Sequence, residues 1–235
     1  MKTAIMQPYF LPYLGYFQLI EAADIFVVYD TVQYTKKGWI NRNRMLRNGE
    51  AVMFTVPLKK ESDYLNVSER HLSDTFDPHK LCSQIEGAYR KAPEFGKTMP
   101  LIDTILHFQA ETLFDFVHHS ISKCCDHMGI ATPVRISSQI EDSLPDLHGV
   151  QRVIDICERV GATGYINLPG GRDLYAPADF QTHGLKLEFL QPSLSAYPQI
   201  GADFVSSLSI LDVMMFNSVD HIASTLLREW DLVDC

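Results

Sequence analysis

No run in this 235-residue chain approaches the roughly 20 consecutive apolar residues that span a bilayer, so membrane insertion is not expected. Between Lys2 and Gln7 only Ala4, Ile5 and Met6 are apolar, too few for a signal-peptide core, and a cytoplasmic protein is expected. Cysteine is scarce and odd in number. Cys82, Cys124, Cys125, Cys157 and Cys235 form no CxxC pair, which suggests neither a zinc site nor a disulfide framework and predicts buried or idle thiols. Positive charge is in deficit, with 20 Lys and Arg against 29 Asp and Glu for a net charge of -9. Broad nucleic-acid binding, which needs a cationic surface, is therefore not expected. His118 and His119 adjoin on a predicted helix and point apart, while His71, His79 and His127 have no partner at ligand spacing, so no metal is expected. The absence of GxSxG removes support for a nucleophile-elbow hydrolase. Repeats and low-complexity segments are absent as well.

What is present suits a packed protein: 46% apolar and 21% charged residues. "TAIMQ" (3–7) predicts a strand, "LGYFQLIEAAD" a short helix and "IFVVYD" a strand buried on both faces. Such a βαβ unit is parallel and right-handed. Further strands are predicted at 51–59, in "TPVRISSQI", in "TGYINLP" and in "LKLEFLQP". Helices are predicted at 79–92, with Asp77 as cap and Pro78 at the first position, and over 100–128 as one helix or two ended by Gly129. "GVQRVIDICERVGA" with "TGYINLP" reads as a second βαβ, and "SILDVMMFN" and "VDHIASTLLREW" as helices near the end. The alternation predicts an α/β fold with a mainly parallel sheet and a helical C-terminal part. A single domain over 1–235 is expected, with 140–148 as its one plausible seam.

The opening stretch "QPYFLPYLGY" then falls at the carboxyl edge of the sheet, where open α/β folds bind ligands. Pro8 and Pro12 stiffen it, and Gly15 permits close backbone approach at a helix start that favours an anion. Gln7, Tyr9, Tyr13 and Tyr16 supply polar groups and stacking faces. A hydrophobic lid and a ligand site are both consistent with the aromatics alone. "QYTKKGWINRNR" reaches the same edge and sets Lys36, Lys37, Arg42 and Arg44 beside Trp39, Asn41 and Asn43. Cations with amides and an aromatic plane suit a phosphorylated ligand, although a solvated basic loop has the same composition. Lys59 or Lys60 is a candidate for the same cleft, since neighbours on a strand alternate faces. Asn167, Gly170 and Gly171 follow a predicted strand, and a Gly-Gly turn presents N–H groups to an oxyanion or serves only as a turn. Asp173 is a candidate base. Ser209 and Asp212 read as a helix cap and first-turn acid.

"MQPYFLPYLGYFQLIEAADIFVVYDTVQYTKKGWINRN" resembles the WbqC-like protein family, as do "VPLKK", "AYRKAPEF", "GATGYINLPGGRDLY" and "SLSILDVMMFN". The resemblance spans nearly the whole chain. It implies a role in O-antigen or related surface-polysaccharide assembly, with glycine transfer for some members, and it adds Ser209 and Asp212 to the site candidates. The layout is also similar to the nucleotidylyltransferase and pantothenate-synthetase superfamily, implying a Rossmann-like sheet. Tyr13 and Tyr16 stand where that superfamily has the two histidines of HxGH, with Gly15 retained, so activation of a nucleotide by the usual route is in question. ATP or another nucleotide is the candidate cofactor, fixed by no motif.

Together these features predict transfer of a small acyl group, such as glycyl, to a nucleotide-linked amino sugar. Lys36, Lys37 and Arg42 would hold phosphates, Trp39 would stack, Tyr13 and Tyr16 would orient the acyl group or donate protons, and Asp173 would act as base. A tRNA donor stays open. A non-catalytic nucleotide- or sugar-binding protein and an altered nucleotidylyltransferase are the alternatives.

Overall fold

The computed structural model describes residues 1–140, 147–201 and 203–234. The seam expected at 140–148 falls mainly outside them, as does Cys235. Strand β1 (Lys2–Met6), helix α1 (Leu14–Ala22) and strand β2 (Ile25–Val28) form the predicted unit. The strands pair in parallel, Thr3 opposite Ile25 and Met6 opposite Val28. The "IFVV" run of β2 is apolar and rich in β-branched residues, which suits a strand covered on both faces.

Residues 42–44, read from sequence as part of a loop, instead begin strand β3 (Arg42–Arg47), which pairs antiparallel with β4 (Glu50–Thr55) as a separate two-stranded sheet. The turn is Asn48-Gly49, with φ of 53° and 80°, the positive values that a tight hairpin turn requires. A helical layer follows: α2 (Pro78–Tyr89), α3 (Phe95–Leu106) and α4 (Leu113–Met128). Asp77 caps α2 by accepting from Lys80 N–H at 3.0 Å, and Gly129 ends α4 with φ 72°. No helix among the described residues is long and apolar enough to cross a membrane.

Strand β5 (Val134–Ile136) leads through α5 (Ser137–Ile140) and α6 (Gly149–Arg159) to β6 (Gly164–Asn167). Then come α7 (Pro177–Gln181), β7 (Lys186–Pro192), α8 (Ile210–Phe216), α9 (Val219–Ser224) and β8 (Trp230–Asp234). The end of the predicted last helix is thus a strand, antiparallel to β7. Buried Gln18 on α1 holds the chain there, its Nε2 lying 2.6 Å from Leu226 O and 3.1 Å from Glu229 O.

The main sheet runs β5-β2-β1-β6-β7-β8, parallel except for β8. Counting only its own strands along the chain, that order is 3-2-1-4-5-6, the Rossmann arrangement. The second βαβ is therefore not a neighbouring pair. β5 occupies the outer edge of β2, so β6 takes the free edge of β1. Alternation along the strands divides the core. Ala4, Phe26, Val28 and Ile166 face α1 and the helical layer, while Ile5, Val27, Tyr165 and Phe189 face Val153, Ile154 and Cys157 of α6.

Candidate functional site

In open α/β sheets, ligands bind beyond the carboxyl ends of the strands where the strand order reverses. Here that point lies between β1 and β6. A cavity of about 450 Å³ opens there, with Met6 and Gln7 on the β1 side and Asn167, Leu168, Gly170 and Gly171 on the β6 side. A hollow of about 280 Å³ adjoins it between Pro12, Asn43, Arg44 and Ser207. Tyr9, Tyr13 and Trp39 line both.

The loop between β1 and α1 is clamped from outside. Leu11 has φ 43°, left-handed backbone for a leucine. Its carbonyl accepts from Asn43 Nδ2 at 2.8 Å and from Ser209 Oγ at 2.7 Å. Asn43 Nδ2 also reaches Phe10 O at 3.1 Å, and Ile210 N–H donates to Pro12 O at 2.7 Å. Backbone strain of this kind costs on the order of 1–3 kcal/mol and persists only where neighbours over-determine it. Asn43 and Ser209 supply that constraint from β3 and the start of α8.

Two glycines let side chains fold inward. A Cβ on Gly15 would lie 2.5 Å from Tyr13 Cε2, so the Tyr13 ring sits where only glycine leaves room. A Cβ on Gly171 would lie 2.7 Å from Asn167 Nδ2. Asn167 is itself pinned: Nδ2 donates to Tyr165 Oη at 3.1 Å and Oδ1 accepts from Leu168 N–H at 2.7 Å.

Of the residues singled out from sequence, Gln7, Tyr9, Tyr13, Trp39, Asn43, Asn167, Gly170 and Gly171 come together at the cleft. Gly15 lies beneath the Tyr13 ring. Tyr16 is fully buried and donates to Gln7 O at 3.0 Å, supporting the loop from below. Three cations of the basic loop do not line the cleft. Lys36 pairs with Asp63 at 2.7 Å, Lys37 is exposed, and Arg42 donates to the carbonyls of Gly38 and Lys37. Asn41 is buried, accepting from Tyr34 Oη at 2.9 Å and donating to Val56 O at 2.8 Å. Lys59 pairs with Asp74 at 3.2 Å, and Lys60 and Asp173 are exposed without lining the cleft. Ser209 caps α8. Asp212 is fully buried and accepts from Tyr89 Oη, Tyr197 Oη and Gln199 Nε2 at 2.9, 2.7 and 2.6 Å. Burial raises its carboxyl above the ordinary range, against the pull of those three donors.

Burial also raises the cleft tyrosines. Tyr9 lies above its ordinary value, and Tyr13 is pushed up to about 12 by burial and by neighbouring Tyr9. Both are neutral donors at pH 7, and neither hydroxyl has a hydrogen-bond partner among the described residues. The described lining contains no carboxylate, imidazole, thiol or amine, and Arg44 is its only cation. Tyr29, Tyr175 and Ser207 were not among the site residues read from sequence, and Arg44 was read only as one of four cations in the basic stretch. The Asn48-Gly49 hairpin signal could have placed Arg44 on a strand beside Asn43.

Away from the cleft, α2 and the end of α3 bring Cys82, Asp103 and His107 together, with donor atoms all within 4.8 Å, the one such set among the described residues close enough to hold a metal ion. His107 Nε2 lies 3.2 Å from His79 Nδ1. The Cys82 thiol, pushed up to about 11 by burial and Asp103, would have to lose its proton first.

An uncharacterized protein of Mycobacterium tuberculosis (strain ATCC 25618 / H37Rv), Rv1507c, is 27% identical over 219 residues, covering 92% of this chain and 93% of that protein. No solved structure matches the chain. Residues 7–224 match the WbqC-like protein family, whose genes often lie in polysaccharide clusters, which fits a general biosynthetic role. With a match that starts at cleft residue Gln7 and runs to the end of α9, the chain belongs to the WbqC-like protein family.

Proposed function

We propose that the cleft binds a nucleotide-linked amino sugar and that the protein transfers a small acyl group, such as glycyl, onto its amine in surface-polysaccharide assembly. The observation that carries this reading is the coincidence of the β1/β6 reversal point with a cavity lined by Gln7, Tyr9, Tyr13, Trp39 and Asn167. Trp39 and the tyrosines offer stacking faces for a base or sugar ring. In the transfer, the amine forms a bond to the acyl carbon while the bond to the donor's leaving group breaks. Neutral Tyr9 and Tyr13 donate to the carbonyl oxygen as negative charge develops there. The amine sheds its proton to solvent, since the described lining offers no base. Catalysis rests on positioning and hydrogen bonding, without a covalent intermediate.

The same lack of a base favours a second reading, a non-catalytic binder of nucleotide sugars. Thermal shift with UDP-sugars, ATP and glycine, followed by mass spectrometry of acceptor incubated with an activated glycyl ester, separates the two. A transferase responds to donor and acceptor and yields the N-acylated sugar. A binder responds to one ligand and yields no product. Release of pyrophosphate from a nucleoside triphosphate would instead mark a nucleotidylyltransferase.

A further inference from the structure

We infer that the smaller lobe of the cleft is a metal-free oxyanion subsite in which Arg44 holds a phosphate of the ligand. The inference rests on the reading above for the ligand's sugar, but not for the anion itself. The four cations at 36–44 are alike in sequence and unlike in the fold. Lys36 is neutralised by Asp63, Lys37 is exposed and lines neither lobe, and Arg42 is tied to its own loop's carbonyls. Arg44 alone lines the lobe, and it has no carboxylate partner among the described residues.

Its guanidinium makes one hydrogen bond there, from Nη2 to Ser207 O at 2.9 Å. Nε is shut away from solvent with no acceptor among the described residues. Its Cζ sits 5.5 Å from the Trp39 ring centroid, over an aromatic face. A cation so fixed and so poorly paired gains from an oxyanion that accepts its free N–H groups. Tyr13, pinned above Gly15, adds a neutral hydroxyl beside it.

The composition of the lining also limits the ligand. Magnesium is held through carboxylates together with substrate phosphates, and this lining has no carboxylate among the described residues. The chemical class is therefore a phosphate monoester or diester bound without metal, and Mg-ATP is not its occupant.

The test uses Trp39 as reporter. In a Trp230→Phe background it is the only tryptophan. UDP, UDP with magnesium, inorganic phosphate and Mg-ATP are titrated by fluorescence, with calorimetry on the wild type in parallel. UDP is expected to change Trp39 emission, with affinity unaffected by magnesium, falling with salt and exceeding that for Mg-ATP. Arg44→Lys keeps charge but loses the fork, and is expected to weaken UDP about tenfold or more. Lys36→Ala and Lys37→Ala are expected to stay within twofold of wild type. Should Arg44→Lys fail to fold, the wild-type titrations still decide: tighter Mg-ATP than UDP, or no response to either UDP or phosphate, overturns the subsite. Transfer activity with UDP affinity unmoved by Arg44→Lys overturns the subsite and leaves the transferase standing. UDP binding through Arg44 without transfer does the reverse.

Discussion

The two edges of the six-stranded sheet carry hollows of similar size, about 450 Å³ at the carboxyl edge and about 480 Å³ at the amino edge. Their polar groups differ. At the amino edge, Lys186 bonds to Glu188 at 2.8 Å and lies 3.1 Å from Asp234, Lys2 lies 3.4 Å from Glu188, and the Met1 ammonium donates to Thr163 Oγ1 at 2.6 Å. At the carboxyl edge, the hydroxyls of Tyr9 and Tyr13 and the amide of Gln7 have no such partners among the described residues. The loop that carries them is nevertheless held, at Phe10 O and Leu11 O by Asn43, at Leu11 O also by Ser209, and at Gln7 O by Tyr16. A concavity is thus weak grounds for a site. Side chains fixed from behind and left unpaired in front are stronger grounds, because their hydrogen-bonding capacity is already oriented for a ligand.

The largest expected effect separates two glycines. Gly15→Ala drives a methyl into the Tyr13 ring, and overpacking of this kind costs about 1–3 kcal/mol. With Tyr13 displaced, UDP affinity is expected to fall about tenfold or more, roughly 1.4 kcal/mol. Gly164→Ala at the amino edge meets its nearest atom at 3.4 Å, an ordinary contact, and is expected to leave both stability and affinity close to wild type. Urea unfolding and calorimetry on the pair check this, and equal behaviour of the two variants would remove the claim that the carboxyl edge is pre-shaped.

Next in size is the loop clamp. Asn43→Ala removes the donor to two buried carbonyls, at about 1–3 kcal/mol for groups left unsatisfied. Affinity should fall with it as the loop loosens, whereas Thr163→Ala, at the exposed amino-edge bond, should change neither stability nor affinity measurably. Faster hydrogen exchange confined to 8–13 in Asn43→Ala would be the signature.

A smaller effect concerns the tyrosine hydroxyls. With Tyr13 pushed up to about 12, ligand affinity should be flat through pH 9–10, where exposed tyrosines begin to ionise. Tyr13→Phe keeps the ring and should lose about fivefold in affinity, the value of one net hydrogen bond of about 1 kcal/mol. A drop in wild-type affinity centred near pH 10 would show that the hydroxyl is not buried against a ligand.

The smallest effect lies away from both edges. Burial holds His118, His119 and His127 on α4 below the ordinary imidazole value. The unfolded chain therefore takes up protons first, and stability present above pH 6.5 is lost as the pH falls through the lower folded values. Replacing all three with Gln should flatten the melting temperature between pH 7 and 5 without altering UDP affinity at either pH.

Much of the frame was legible in the chain itself. "IFVV" admits little but a buried strand, and Asp77-Pro78 and Gly129 mark helix ends by their own backbone chemistry. β8 was not legible, because "LLREW" has helical spacing and only the open edge of β7 and the buried Gln18 amide draw it into the sheet. The basic loop was legible as a cluster but not as a site. Residue types announce four cations, while the partners of two of them are residues distant in sequence, Asp63 for Lys36 and Ser207 for Arg44.

Local propensity and hydrophobic period act over a few residues, so the sequence alone determined the alternating elements other than β3 and β8, the aromatic loop after the first strand and the glycine within "YLGY". The tertiary structure alone decided that β6 lies beside β1, which opens the cleft where the strand order reverses. It alone selected Arg44 over Lys36, Lys37 and Arg42, because whether a charge is neutralised or left facing a cavity depends on through-space distance, which chain order does not encode.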